Sequence, residues 1–316
     1  MESWRETSGS SGQAICTIAE GDYHYGLAAF INSLSAYGYV GHVFVGTRGK
    51  LPEWLEQCEN NGQDCSYKTG SIIVDIFVID SDRHLTNYKP IFMQKIFCEN
   101  KDIQYLWYID PDVCINFKWW FFEKWSTRGV ALCEEIVRRG LSENNPLRLL
   151  WKEIGEAHGL QCKRLLPGYY NGGLLGIGRG QIEFLSLWRK IIDIAEASGR
   201  NLQSFAESEM EHPFSMADQD ALNMAVMFSD GAISTLGPEG MGFIPGWNAM
   251  FHTVGAKPWR TSFILAALSG IPPTRAMKVY IEHSNGPLRA YSKNRYWWLK
   301  FSSKVGAFIG RIYRRS

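Results

Sequence analysis

Several signals that would define a protein's location are missing from this chain of 316 residues. It has no run of about eighteen apolar residues, so we expect no membrane-spanning helix. It also has no positively charged leader followed by an apolar stretch, the pattern of a secretory signal. The seven cysteines are an odd number without a Cys-x-x-Cys pair. Several lie in apolar segments, where a thiol behaves as a small hydrophobe, so we expect no disulfides. These absences favour a cytoplasmic protein.

Acidic residues are missing from the end of the chain. Residues 291–316 carry seven lysines and arginines and no acid, and because the whole chain has a net charge of +1, the first 290 residues sum to −6. Aromatic residues are interleaved with these cations: Tyr296, Trp297, Trp298, Phe301, Phe308 and Tyr313. Such a mixture is typical of segments that bind an anionic membrane surface. A solvated terminal helix packed by its tryptophans is one alternative. Nucleic acid is another, but we expect no such partner because no recognised nucleic-acid module precedes the tail.

The first half of the chain alternates apolar runs with helical patterns. Strands are predicted over 14–18, 42–45, 72–79, 104–109 and 130–133, and helices over 26–36, 52–60 and 90–98. The less regular second half predicts helices over 146–158, 181–197 and 219–228 and a strand over 173–177. With 45% apolar residues the chain can bury one large core. The βαβ rhythm predicts an α/β protein with a central, mostly parallel mixed sheet flanked by helices.

The most informative stretch is Tyr105-Leu-Trp-Tyr-Ile-Asp-Pro-Asp112, in which an apolar run leads directly into two carboxylates. A continuous apolar run is typical of a parallel strand covered on both faces, and open α/β sheets bind ligands outside the carboxyl ends of such strands. Carboxylate oxygens there suit Mg²⁺ or Mn²⁺, commonly shared with substrate phosphates. Asp80-Ser-Asp82 and Asp218-Gln-Asp220 have the same spacing. A strand-ending turn explains the first equally well, and a helix cap the second.

Three further motifs follow in order: Tyr170-Asn-Gly-Gly-Leu-Leu-Gly-Ile177, Asp218-Gln-Asp-Ala-Leu-Asn223 and His252-Thr-Val-Gly-Ala-Lys-Pro-Trp259. With the Asp-x-Asp pair they resemble the motifs of family 8 glycosyltransferases, retaining enzymes of the GT-A fold that use nucleotide-sugars and include bacterial galactosyl- and glucosyltransferases and glycogenin-like proteins. The resemblance covers roughly residues 14–260. We therefore expect a flexible leader over 1–12, a GT-A catalytic domain over 13–262, and a helical extension with the basic aromatic tail over 263–316.

The resemblance implies a metal-dependent site for a UDP-sugar donor. Asp110 and Asp112 would hold Mn²⁺ or Mg²⁺, and His252 resembles the family's third ligand. Lys257 would stabilise charge on the diphosphate leaving group. Gly255 would let the backbone approach the phosphates, where a side chain would obstruct.

Further donor-binding residues follow from the same resemblance. Thr17 and Ala19 would face the base, and Tyr23 would stack on it, with Tyr25 an adjacent competitor. Lys89 stands where the family usually has an arginine. The strand that would line the sugar site begins with Asn171, Gly172 and Gly173.

The resemblance also places Gln219 beside the donor sugar. Because an amide is a poor nucleophile, we expect a front-side mechanism in which Gln219 and Asp218 position the sugar and stabilise charge. Trp247 and Trp259 are expected either as a floor for the acceptor or as core residues. The predicted reaction is transfer of a hexose to a glycan or lipid-linked glycan.

Two alternatives belong to other classes. The stretch Leu106-Trp-Tyr-Ile-Asp-Pro-Asp-Val113 also fits a phosphatase like the haloacid dehalogenases, in which the first aspartate is the nucleophile. That scheme needs a second acidic pair after a later strand, and the sequence shows no convincing one. A non-catalytic carbohydrate-binding protein on a transferase scaffold is the other alternative, against which the intact candidate residues argue.

Overall fold

The fold is that of a computed structural model, which describes residues 12–49, 54, 59–60, 65–138, 141–208 and 212–312. Its strands are β1 Gln13–Glu20, β2 Gly41–Arg48, β3 Glu59–Asn60, β4 Cys65–Thr69, β5 Ile72–Val78, β6 Tyr105–Ile109, β7 Val113–Ile115, β8 Val130–Cys133, β9 Leu174–Gly178, β10 Ile233–Leu236 and β11 Met250–His252. Its α-helices are α1 His24–Ala36, α2 Lys89–Glu99, α3 Trp120–Ser126, α4 Pro146–Ala157, α5 Glu183–Ala197, α6 Ala217–Phe228, α7 Phe263–Leu268, α8 Arg275–His283 and α9 Lys293–Ile312.

Nine of these strands form one sheet in the order β10-β8-β9-β6-β1-β2-β5-β4-β3, and β7 and β11 form a separate pair. Parallel pairing joins β1 to β2 and β6, β2 to β5, and β8 to β10. The remaining neighbours in the large sheet are antiparallel. The expected α/β architecture with a mixed sheet is confirmed. Parallel pairing does not dominate it, because β9 runs against both β6 and β8.

The central strands lie between two apolar layers. In β1, Ala14 and Cys16 pack in a cluster with residues of α2, α5 and α6, whereas Ile15 packs with residues of α1 and α3. Leu106 and Trp107 of β6 divide between the same two clusters. Because successive strand side chains point to opposite faces, a strand covered on both sides needs apolar residues at every position. The continuous apolar runs of the sequence therefore reflect burial on both faces.

Most predicted elements agree with the structure to within a few residues at each end. The strand expected over 72–79 is β5, and the helix expected over 90–98 is α2. The helix expected over 52–60 falls mostly outside the described residues, and its last two residues form β3 instead. Residues 1–11 and 313–316 are also outside the described residues. The sequence does not predict the following elements: β4, β7, β10, β11 and α3.

Residues 263–312 contribute α7, α8 and α9, which pack beside α1, β7 and β11. A Cβ atom on Gly306 would lie 2.6 Å from the backbone oxygen of Phe263, so the glycine allows α9 to approach α7 closely. Tyr291, just before α9, stacks on Tyr25 with ring centroids 4.7 Å apart. No helix among the described residues is both long and apolar enough to cross a membrane.

Candidate metal centre and adjoining cavity

The carboxylate pair lies at the carboxyl end of β6, as the sequence predicts. The backbone N–H of Asp110 donates to the carbonyl of Gly173, 2.9 Å away, which ties the pair to the start of β9. The N–H of Val113 then closes a turn on the carbonyl of Asp110 at 3.1 Å. Asp112 is buried within this turn, whereas the Asp110 side chain is 21% exposed. The fold therefore presents two carboxylates of unequal exposure at one sheet edge.

His252 reaches the pair through a second strand contact. β11 runs antiparallel to β7, and their register places His252 opposite Val113. The Nε2 atom of His252 lies 3.2 Å from Oδ1 of Asp112 and 4.0 Å from Oδ2 of Asp110. Its Nδ1 atom is buried and makes no hydrogen bond within the described part of the chain.

These three side chains could hold a metal ion. One ligand atom from each of Asp110, Asp112 and His252 lies within 4.8 Å of the other two, and no other such group occurs among the described residues. Two carboxylates with one imidazole are a donor set that Mn²⁺ and Mg²⁺ accept. Tyr108 helps to orient the group, because its hydroxyl donates to Oδ1 of Asp110 at 2.8 Å.

Lys257 contacts the second carboxylate from the loop after β11. Its Nζ atom donates to Oδ2 of Asp112 and, at 2.8 Å, to the carbonyl of Thr253. Burial by itself raises the pKa of Asp112, but His252 and Lys257 outweigh it and hold that pKa well below its usual value. Burial lowers the pKa of Lys257, and the Asp112 charge more than reverses this. Both groups are therefore charged at neutral pH.

A second lysine, Lys89 at the start of α2, is buried beside the first carboxylate. Its Nζ atom lies 2.8 Å from Oδ2 of Asp218 and 3.4 Å from Oδ1 of Asp110, and it donates to the carbonyl of Gly172 at 2.8 Å. Burial alone lowers the pKa of Lys89, but the two carboxylates raise it above the ordinary value. Lys89 is thus a fixed charge that links the metal cluster to α6.

A cavity of about 540 Å³ opens next to the cluster, within the size range of small-molecule sites. The structure brings twelve of the residues proposed from the sequence to its wall: Tyr23, Lys89, Asp110, Asp112, Asn171, Gly172, Gly173, Asp218, Gln219, His252, Gly255 and Lys257. These residues come from six separate parts of the chain. Their convergence supports treating the motifs as one site.

The loop before β9 forms one wall and requires glycine. A Cβ atom on Gly173 would lie 2.5 Å from Oδ2 of Asp110 and 2.8 Å from Oδ1 of Asn171. Asn171 accepts a hydrogen bond from the Gly173 N–H at 2.9 Å, which holds the turn. Gly255, on the opposite side, has a φ of +74° that favours glycine. The backbone can therefore approach a bound molecule at both places.

The first turn of α6 carries three neighbouring polar residues with different contacts. Asp218 accepts from Lys89, and Gln219 accepts from the Gly172 N–H at 2.7 Å. Asp220 is fully buried behind the cavity wall and accepts from the Met216 N–H at 2.9 Å, which caps the helix. The capping interpretation therefore applies to Asp220, while Asp218 and Gln219 remain at the cavity.

Two of the proposed base-binding residues stand apart from this wall. Thr17 and Ala19 are buried and do not line the cavity, whereas Ile18 and Glu20 do. The reason is the twofold alternation of a strand, since adjacent side chains of β1 face opposite layers. Of the two tyrosines, Tyr23 lies at the cavity, with Lys257 Nζ 5.7 Å from its ring centroid.

Neither tryptophan proposed as an acceptor floor lines the cavity. Trp259 is buried, with its ring centroid 5.4 Å from that of Tyr280. Trp247 is 45% exposed and packs against Phe117 and Phe121 instead. Trp259 is thus a core residue, and the acceptor floor stays a prediction that this cavity does not include.

Several cavity residues were missed from the sequence: His84, Tyr108, Glu135 and Phe205. Glu135 is buried and accepts from the Val137 N–H at 3.1 Å, and burial raises its pKa. It follows the predicted strand over 130–133, so the strand-end signal that identified Asp110 would also have found it. Phe205 is 55% exposed in an irregular segment, and no sequence pattern marks it.

Comparison with known proteins assigns no family to the chain. No family model matches the chain, and no curated protein matches it. The resemblance to family 8 glycosyltransferases therefore depends on the motifs and on their convergence at one cavity.

Proposed function

We propose that this protein is a metal-dependent retaining hexosyltransferase that takes a sugar from UDP and transfers it to a glycan or lipid-linked glycan. The observation that carries the proposal is the grouping of Asp110, Asp112 and His252 in one cavity with two lysines, one buried and one partly buried. A nucleotide-sugar presents a diphosphate, which needs several positive charges nearby. Gln219 and Asn171 add polar groups to the wall of the same cavity, and these suit a sugar. A GT-A fold is part of the same proposal.

The residues at the cluster fit a divalent cation. Their ligand atoms are close enough for shared coordination, and His252 already directs Nε2 at the carboxylates. Asp110, Asp112 and His252 would hold Mn²⁺ or Mg²⁺, and the ion would neutralise charge on the diphosphate. Lys257 pairs with Asp112 and lines the same cavity, so its ammonium group lies beside the position that the ion would take.

The chain's own groups supply the remaining requirements of the transfer. Lys257, at the wall of the cavity, would stabilise the departing diphosphate as a point charge. Tyr23 offers a ring face near the same end of the cavity, and the base of the nucleotide would stack there. Gln219 and Asp218, which line the same cavity, would hold the sugar in place.

The geometry of Gln219 favours the front-side mechanism over covalent catalysis. Its carboxamide oxygen already accepts from the Gly172 N–H, and the neighbouring Asp218 carboxylate accepts from Lys89. Gln219 is an amide, which is a poor nucleophile, and the Asp218 carboxylate is paired with Lys89. Both can instead orient sugar hydroxyls and stabilise positive charge on the ring.

A phosphatase is the weaker alternative. That scheme also leaves the grouping of His252 and Lys257 at the Asp110–Asp112 pair without a role. No second acidic cluster for a metal ion occurs among the described residues. Release of inorganic phosphate from simple esters would distinguish a phosphatase from a transferase. A protein that only binds carbohydrate would show neither activity.

The decisive experiment is a screen of UDP-sugars for Mn²⁺-dependent hydrolysis without acceptor, followed by measurement of released UDP. We expect one or a few hexose donors to be hydrolysed slowly, with loss of the reaction on chelation. The matched control is Asp112→Asn, which keeps the size of the side chain and removes its charge. Failure of every UDP-sugar to bind or react in the presence of Mn²⁺ would refute the proposal.

We also propose that α9 brings the enzyme to an anionic membrane surface, where a lipid-linked acceptor would be found. Along this helix Trp297, Phe301, Phe308 and Ile312 are 62%, 42%, 61% and 70% exposed. Their spacing places them in one stripe of the helix. The tryptophans therefore do not pack into the core, contrary to the alternative considered from the sequence.

A basic stripe runs beside the apolar one. This stripe consists of Lys300, Lys304 and Arg311. Each follows one of the exposed aromatic residues Trp297, Phe301 and Phe308 by three positions, slightly less than one helical turn. All three basic residues are exposed. A helix with exposed aromatic residues and an adjoining row of cations has the geometry of an interfacial membrane helix.

Vesicle co-sedimentation tests this surface. Lys300→Glu with Lys304→Glu should release the protein from anionic phosphatidylglycerol vesicles, because each lysine contributes about 1 kcal/mol there and reversal adds repulsion. Lys152→Glu, at an exposed lysine of α4, is the control. Removing all residues after 290 would also remove core contacts, since Tyr291 and Leu299 are buried. If the unaltered protein ignores anionic vesicles at low salt, the membrane proposal is wrong.

A further inference from the structure

Behind Gln219 lies a chain of buried hydrogen bonds, and its other members, Tyr169, Asp220 and Arg138, do not line the cavity. The Nε2 group of Gln219 donates to the hydroxyl of Tyr169 at 3.2 Å, and this hydroxyl donates to Oδ1 of Asp220 at 2.6 Å. Arg138 donates to the same oxygen at 2.8 Å. All four side chains are less than one tenth exposed, so water does not compete for these bonds.

The direction of each bond in this chain follows from its chemistry. An ionised Asp220 can only accept hydrogen bonds, so Tyr169 must donate its single proton to it. The Tyr169 oxygen is then left to accept from Gln219, which must turn its NH₂ group that way. At the other end the Gly172 N–H can only donate, so the carboxamide oxygen must face it. Both ends therefore require the same orientation of the Gln219 amide.

We propose that Tyr169 is a positioning residue, which together with Asp220 and Arg138 fixes the orientation of the Gln219 amide at the cavity. The consequence is chemical, because the fixed amide presents one oxygen lone pair and one N–H to a bound molecule in a set arrangement. A sugar hydroxyl would meet the same donor and acceptor each time. This inference rests on the proposed transferase function for its effect on a reaction, but not for the positioning itself.

The Gly172 amide reports on the positioning without any reaction. Its N–H is bonded to the Gln219 side chain, so looser side-chain packing should speed its hydrogen exchange. Tyr169→Phe removes the hydroxyl and keeps the ring. At pH 8, where Asp220 is ionised, we expect exchange at Gly172 to accelerate roughly threefold to tenfold relative to the Leu175 amide of β9, as the loss of one hydrogen bond implies.

Tyr170→Phe is the matched control, because Tyr170 is equally buried but lies outside this chain of bonds. It should leave the Gly172-to-Leu175 exchange ratio unchanged. If Tyr169→Phe also leaves that ratio unchanged, Tyr169 does not position Gln219 and the inference is wrong. If the single variant folds poorly, the double variant Tyr169→Phe with Asp220→Asn replaces the buried carboxylate that has lost its hydroxyl donor. The Gly172-to-Leu175 exchange ratio of this double variant then tests the inference in the same way.

A second measurement separates this inference from the proposed function. In Tyr169→Phe we expect calorimetry to show unchanged binding of UDP with Mn²⁺, since the diphosphate end is untouched. Hydrolysis of the best UDP-sugar should fall about tenfold in kcat with little change in KM, because the lost interaction acts on the sugar in the transition state. If the unaltered protein does not bind UDP, the proposed transferase function is wrong. The hydrogen-exchange result would still show whether Tyr169 positions Gln219.

Discussion

The two sides of the cavity are held in place by different means. On the carboxylate side, which comprises Asp110, Asp112, His252 and Lys257, Lys257 forms an ion pair with Asp112, and the Nδ1 atom of His252 has no hydrogen-bond partner within the described residues. On the amide side, which comprises Gly172, Gln219, Tyr169 and Asp220, each donor meets an acceptor in a directed chain.

This difference suggests that the carboxylate side can exchange one cation for another, whereas the amide side keeps one orientation of its groups. Lys257 is itself a cation at Asp112, and another cation can replace it without leaving a buried charge unpaired. A bond in the amide side cannot be replaced so easily, because turning one amide would set two donors or two acceptors against each other. The carboxylate side is therefore suited to binding and release, and the amide side to holding one geometry.

If a carboxylate of the carboxylate side were dispensable for metal binding, the two sides of the cavity would not differ in the way described. We expect Asp112→Asn to abolish Mn²⁺-dependent UDP binding, a loss of at least about a hundredfold, because a neutral amide is a poor ligand for a hard cation. Calorimetry with and without Mn²⁺ measures it. Asp80→Asn, at an exposed aspartate that has the same Asp-x-Asp spacing and does not line the cavity, is the control and should keep metal-dependent affinity. Equal affinity of Asp112→Asn and the unaltered protein would remove the metal role.

Lys257 should act on the reaction more than on binding. Lys257→Ala is expected to lower turnover at saturating donor by about a hundredfold, the typical effect of one electrostatic group on a leaving charge. Steady-state kinetics with the best UDP-sugar provide the measurement. A raised KM with unchanged turnover would instead make Lys257 a contact of the ground state.

On the amide side, pH should reveal the buried carboxylate. Burial raises the pKa of Asp220 from 3.8 to about 7, although Arg138 and Tyr169 oppose the shift. The native state therefore retains a proton that the unfolded chain has already released, so stability is lost as pH rises through the native pKa. Between about pH 5 and 7 we expect the free energy of unfolding to fall by about 2 kcal/mol from this group.

Asp220→Asn isolates that contribution, because it cannot titrate. Urea unfolding of both proteins at several pH values gives the difference directly. The gap between the unaltered protein and the variant should change with pH over this window and become constant above it. A gap that is the same at every pH would show that Asp220 has an ordinary pKa.

The smallest expected effect concerns the exchange of cations at Asp112. In Lys257→Met the competing ammonium is gone, and we expect Mn²⁺ alone to bind roughly fivefold to tenfold more tightly, on the order of one screened ion pair. Titration calorimetry without nucleotide is the measurement, with Lys257→Arg as the control that keeps the charge. Weaker Mn²⁺ binding by Lys257→Met would indicate that the lysine supports the metal site and does not compete with it.

The sequence by itself determined the parts of this protein that depend on local pattern. Continuous apolar runs placed the central strands, and the position of Asp110 and Asp112 followed from the end of one run. The strand before Glu135 carried the same signal, although that residue was not chosen. These features need only neighbouring residues, because strand burial and strand ends appear directly in the order of side chains.

Only the tertiary structure decided how distant segments meet. His252 reaches Asp112 because β11 pairs with β7, two strands of three residues each that lack a pattern of their own. Likewise, the motif around Gln219 gave no hint that Tyr169 and Arg138 lie behind it. Long-range contacts depend on which surfaces are buried together, and a short strand or a single polar residue carries too little pattern to specify its partner.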